Sequence, residues 1–126
     1  MTVKRETFEN GQVKISDDVI GIISGIAATE VDGVNSMHTG FVEGFSNLFN
    51  KNNYSKGIKV DINNEDVIID IFINIDYGYR ISKVAEEVQN KVRKEVETMT
   101  DLRVVKVNVH IQNIITEKEK TEEQKI

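Results

Sequence analysis

Tyr77-Gly78-Tyr79-Arg80 runs straight into an amphipathic stretch. A helix that starts there presents free backbone N–H groups and the positive end of its dipole. Arg80 and the two phenols would then form a place for an anion or for an acidic side chain of a partner. The plainer reading is a tight turn whose tyrosines cover the core edge. Phe41, Phe45, Leu48 and Phe49 fall at i, i+4, i+7 and i+8, the spacing of one helix face. They read either as a satellite helix packed over a sheet edge or as an apolar strip that docks on a protein. Asp61, Asp70 and Asp76 occupy outward positions of alternating segments and could converge on a hard cation with His110, although surface strand carboxylates are ordinarily just solvated.

Nucleophilic and redox chemistry find little to work with. There is no Cys, and His38 and His110 are the two histidines. Ser24 lies between Gly21 and Gly25, but inside a helical stretch rather than at a strand-to-helix elbow. No glycine-rich phosphate loop occurs. The reading is a protein that is not an enzyme, with no catalytic residue, metal or cofactor. The candidate partner-binding residues are Phe41, Phe45, Phe49, Tyr77, Gly78, Tyr79 and Arg80.

The elements that must position these residues follow from periodicity. Residues 1–7 are polar and expected to fray. A short strand is read within Phe8–Ile15. Ser16 caps a helix over Asp17–Val31, with Asp17 and Asp18 in the first turn where the dipole favours negative charge. Its apolar residues surround most of its circumference, which predicts burial on most sides. Gly33 stops it, Val34–His38 forms a short strand, and 39–57 is irregular. Ile58, Val60 and Ile62 alternate, Asn63-Asn64-Glu65-Asp66 has turn chemistry, and Val67 to Ile75 line one face of a long strand, together a β-hairpin. Ser82 is read as the cap of a second helix with its stripe at Val84, Val88, Val92, Val96 and Met99. Val105, Val107, Val109 and Ile111 alternate in a last strand, and residues 116–126 form a charged, disordered tail.

The expected fold is α+β: a small mixed, partly antiparallel sheet with two helices on one face, in the order strand, helix, short strand, hairpin, helix, strand. One domain spans 8–115 of the 126 residues. The balance of 16 Lys+Arg against 21 Asp+Glu, net −5, argues against coating nucleic acid phosphates, so no DNA partner is expected. No run is long enough to span a membrane and residues 1–10 lack the apolar centre of a signal peptide, so the expected location is cytoplasmic. The outline is nonetheless similar to RNA-binding KH modules, whose clamp is a GxxG loop with basic residues. Here Gly21-Ile22-Ile23-Ser24-Gly25 is the near match, with three residues between the glycines and no base. Gly21, Gly25 and the Ile-rich strands also leave a homo-oligomer open.

Four stretches in order carry a family resemblance. They are Gly11–Ser16 with Val19-Ile20, Ile23–Ala28 and Glu30–Val34; Tyr54–Val60; Tyr77-Gly78 with Ile81–Ala85 and Val88-Gln89; and Val105–Ile111. Over about residues 9–115 the chain resembles the alkaline shock protein (Gls-type general stress) family of envelope stress response proteins. The resemblance implies a small cytosolic protein of Gram-positive bacteria, without enzymatic activity, acting in cell envelope homeostasis. Some such proteins reach the membrane through a separate anchor protein. Short ones, which the Met37–Phe49 region and the charged tail resemble, are linked to fatty acid synthesis and to control of acetyl-CoA carboxylase. The expected partner is therefore a membrane anchor protein or an acetyl-CoA carboxylase subunit. The alternative is a KH-like RNA-binding protein.

Overall fold

A computed structural model describes residues 2–8, 11–38 and 56–116. Strand β5 (Asp66–Asp76) is its axis. Every second residue, Val67, Ile69, Ile71, Ile73 and Ile75, is fully buried, while the residues between them are half-buried. β-branched residues in strict alternation fit a pleated strand with one packed face, and both helices cover that face. Helix α1 (Asp17–Thr29) contributes Ile20, Ile23, Ala27 and Ala28 to the core, and helix α2 (Ile81–Thr100) contributes Val84, Val88, Val92 and Val96.

Three strands pair with β5. Strand β6 (Arg103–Ile115) runs parallel to it along its whole length, with α2 as the crossover that a parallel pair requires. Strands β4 (Ile58–Asn63) and β3 (Val34–Met37) are antiparallel to β5 and meet different parts of it, Asp66–Ile71 and Ile73–Ile75 respectively. They share its second edge end to end. Phe72 joins them: its carbonyl accepts from His38 N–H at 2.8 Å and its N–H donates to the Gly57 carbonyl at 2.9 Å. The β4–β5 turn places Asn64 in the left-handed region (φ 61°), as its turn chemistry predicts. The expected α+β fold with a mixed sheet and two helices on one face is the fold observed.

Four local expectations change. The polar start of the chain is paired: β1 (Thr2–Phe8) is antiparallel to β2 (Gly11–Ser16) in a separate two-stranded ribbon, where residues 1–7 were expected to fray and a single strand was read at 8–15. Helix α2 begins at Ile81 with Arg80 as its cap residue, and no side chain caps it, Ser82 included. In β6 a bulge at Val105 sets two residues against one of β5. Val104 and Val107 therefore turn inward and Val105 is left 39% exposed, which breaks the single alternating series expected from Val105 onward. Helix α1 is not buried all round: Val19 and Ile26 are exposed. The charged residues 117–126 lie outside the described residues.

Candidate functional site

One stretch of exposed apolar surface lies where α1 meets α2, and another at Tyr77, Tyr79 and Ile81 around the start of α2. From Val19 to Ala28 the only polar side chain is Ser24, which is buried and donates to the Ile20 carbonyl at 2.8 Å. Gly21 and Gly25 are buried too, and Gly21 lines a crevice with Ile58 and Val60, so the side of α1 without side chains is the one laid against β4. With Gly21 against β4 and Ile20, Ile23, Ala27 and Ala28 in the core, the residues of the remaining side stay outside. Val19 is 43% exposed and Ile26 39% exposed. Together with Ile22, Ile23 and Ala27 they form one wall of a groove of about 420 Å³, whose other wall is Glu95 and Met99 of α2. Met99 is 66% exposed. Glu30 closes one part of the groove, held by Lys91 at 3.1 Å. The expectation that an all-apolar helix is buried on most sides is thus corrected: two layers give α1 only one face to bury.

The Tyr77–Arg80 turn stands at the end of β5. Tyr77 is 76% exposed, and its N–H donates to the Ile115 carbonyl at 2.9 Å, tying the turn to the end of β6. Gly78 takes a left-handed φ of 105° that a side chain would strain. Tyr79 folds its ring over Gly33, where an added Cβ would meet Tyr79 Cδ2 at 2.8 Å. One phenol therefore packs and the other projects into solvent. Arg80 is exposed. Phe41, Phe45 and Phe49 lie outside the described residues.

The sheet face away from the helices carries a polar cluster. The Phe72 and His110 rings stack at 4.4 Å with 10° between planes, and Lys59 Nζ lies 5.6 Å from the Phe72 centroid. His110 Nε2 is 3.0 Å from Asp70 Oδ1, which also accepts from Asn108 at 3.2 Å. The hydrogen bond from His110, and secondarily that from Asn108, holds the Asp70 carboxyl below its usual range despite some desolvation. Of the three outward acids read from the sequence, Asp70 does meet His110. Asp76 instead accepts from Asn35 at 3.0 Å. Among the described residues no group of three or more His, Cys, Asp or Glu is placed to hold a metal.

These features define a two-layer α+β domain with an apolar groove on its helical side and a hydrogen-bonded polar sheet face. The chain belongs to the alkaline shock protein 23 family, a family of cell envelope-related function, which it matches over residues 5–116. It is 40% identical over 114 residues to the YqhY protein of Bacillus subtilis (strain 168), covering 90% of this chain and 84% of that one. It is 36% identical to the Spy1614 protein of Streptococcus pyogenes serotype M6, covering 90% and 95%. It is 32% identical to a stress response regulator gls24 homolog of Streptococcus pyogenes serotype M3, covering 92% of this chain and 65% of that longer protein. Among solved structures, the C-terminal domain MamM-CTD overlaps 78% of this chain and 99% of its own, at 16% identity and a TM-score of 0.48. The alkaline shock resemblance read from the sequence is therefore family membership, in a family whose function is related to the cell envelope. No helix among the described residues is long and apolar enough to cross a membrane.

The α1–α2 groove is the surface that sequence reading missed. The signal was present: Val19, Ile22 and Ile26 are spaced for one helix face, but so is the opposite set. The packing of Gly21 against β4, with Gly25 buried as well, decides which set is left outside.

Proposed function

We propose that this protein is a non-enzymatic interaction module that acts in cell envelope homeostasis by binding another protein. The observation that carries this reading is the exposed apolar row of Val19, Ile26 and Met99 beside a preformed groove. Contiguous apolar surface of this kind on a small domain ordinarily marks a docking site. Tyr77, Gly78, Tyr79 and Arg80, with the Tyr77 side chain exposed, form a second contact region, and Phe41, Phe45 and Phe49 a third. The partner is a membrane anchor protein, which would bring the cytoplasmic domain to the membrane, or a subunit of acetyl-CoA carboxylase, through which it would tune membrane lipid supply.

The test is crosslinked capture from the native cell, read by mass spectrometry, with Tyr77→Ala/Arg80→Ala and Phe41→Ala/Phe45→Ala/Phe49→Ala variants beside the natural chain. Enrichment of carboxylase subunits or one membrane protein, lost in a variant that still folds, supports the reading. Purified carboxylase whose rate is unchanged by the chain removes the lipid-supply arm.

The second reading is RNA binding on the open sheet face, favoured by the Phe72–His110 stack with Lys59 above it. Against the KH comparison, Gly21 and Gly25 lie within α1 and are buried, not in a loop able to clamp a backbone. Affinity for single-stranded RNA that falls steeply with salt would support this second reading; no binding at low salt ends it.

A further inference from the structure

A solvent-facing helix ordinarily turns a polar stripe to water. Helix α1 has none between its first turn and Glu30, and its outward residues Val19, Ile22 and Ile26 follow one another at i, i+3 and i+7. That row is about two helical turns long, roughly 10 Å. Facing it across the groove is Met99, an unbranched side chain that adapts its shape to what it meets. The dimensions and the spacing match a second helix laid into the groove, the arrangement in which one apolar stripe is buried against another.

The charges around the groove say which kind of helix. Glu30 and Glu95 line the groove, whereas Asp17 and Asp18 line a separate crevice with Gly21, Ile58 and Val60. Glu30 is bonded to Lys91, whereas no ion pair is formed by Glu95 among the described residues. The basic residues Arg93 and Lys94 of α2 border a different crevice, and Arg93 donates to the Val104 carbonyl. The uncompensated charge lining the groove is therefore the Glu95 carboxylate. A second copy of this face would add another unpaired Glu95 rather than a cation, and an anionic bilayer would meet Glu95 with like charge. A helix with Lys or Arg beside its apolar stripe would gain where both of these lose.

We propose that the α1–α2 groove seats an amphipathic helix of a partner protein, apolar at i, i+3 or i+4, and i+7, and flanked by Lys or Arg. The inference rests on the reading of the chain as a protein-binding module and specifies the partner's chemistry.

The experiment uses the full chain with labelled Ile, Val and Met methyl groups and two synthetic amphipathic peptides of equal length, one of Leu and Lys, one of Leu and Glu. Saturable NMR shifts at Val19, Ile22, Ile26 and Met99 are expected from the Lys peptide, with affinity at least about tenfold above that of the Glu peptide. Ile26→Ser/Met99→Ser should weaken the Lys peptide at least about tenfold, and Glu95→Gln several-fold, with the buried Ile71 methyl unmoved as the sign of an intact fold. Equal affinity for both peptides, shifts scattered outside the groove, or no saturable binding overturns the proposal. So does a dimer in sedimentation velocity that Ile26→Ser/Met99→Ser dissociates, which gives the groove to a second copy. So does flotation with phosphatidylglycerol vesicles that the same variant abolishes, which gives it to lipid. If the peptides fail while crosslinked capture still returns a partner to the groove variant, the groove assignment falls and the interaction-module reading stands.

Discussion

The carbonyl oxygen of His38 lies 2.7 Å from where a β-carbon on Gly57 would be, so the chain leaves the sheet and rejoins it at one point. β3 and β4 are two halves of one edge, closed across Phe72 by hydrogen bonds on either side. β3 thus ends and β4 begins at adjacent points of one sheet edge.

Gly57→Ala should be costly for that reason. Its φ of 75° is left-handed, and the obstacle is backbone, which cannot swing aside. A loss of about 1–3 kcal/mol in urea unfolding is expected. Gly78→Ala, at φ 105° but with nothing within 4 Å of the added carbon, should lose only about 1 kcal/mol. Equal losses would mean that the His38–Gly57 contact contributes nothing.

Gly33→Ala should disturb the start of α2. The new carbon would come within 2.8 Å of both Tyr79 Cδ2 and Val84 Cγ2, at a φ of 97°. Tyr79→Ala removes one of those obstacles. A double-mutant cycle should show the pair less destabilised than the sum of the two changes, by about 0.5–1 kcal/mol or more. Strict additivity would show that Tyr79 does not pack on Gly33 in solution.

Truncation should separate core from groove. Ile71→Ala, at a fully buried site under both helices, should cost about 2–5 kcal/mol. Met99→Ala, at an exposed site, should stay within about 0.5 kcal/mol of the natural chain. Thermal melts of the two variants check this directly.

Acid should weaken the fold through two carboxyls. Arg103 donates to both oxygens of Asp66 at 2.9 Å, and that hydrogen bonding holds Asp66 below its usual value, as His110 does for Asp70. A carboxyl lowered by folding adds stability above its unfolded-state value, near pH 4, and that contribution is lost as pH falls through the lowered folded-state value. Asp66→Asn and Asp70→Asn should each lower the urea midpoint near neutral pH, and the differences should vanish by about pH 2. A difference that persists in acid would assign the effect to something other than charge.

Helix α2 shields the outer edge of β6. Gln89 donates to the Val107 carbonyl at 3.0 Å, Arg93 to the Val104 carbonyl at 3.3 Å, and Glu97 accepts from the Val104 N–H at 2.9 Å. Unshielded edges invite pairing between chains. Gln89→Ala/Arg93→Ala/Glu97→Ala should self-associate at concentrations where the natural chain's sedimentation does not change. An unaltered sedimentation coefficient would count against this role.

Much of the architecture was legible in the residues because alternation and helical spacing are local. Val67 to Ile75 could be nothing but a strand with one buried face, and Val84 to Val96 nothing but a helix with one buried stripe. Asn64 marked its own turn, and the ordered stretches from Gly11 to Ile111 carried the family. Other features needed the tertiary structure. The bulge at Val105 shifts the inward series of β6 because α2 and β5 dictate which valines fit beneath the helix, and no local pattern records that. The pairing of β1 with β2 depends on register between segments whose polar sequences look unremarkable separately. Above all, α1 is apolar on every side, so its sequence determines that it will be a helix but not which side faces water. That was decided when Gly21, having no side chain to keep backbones apart, let the helix settle on β4 and left Val19 and Ile26 outside.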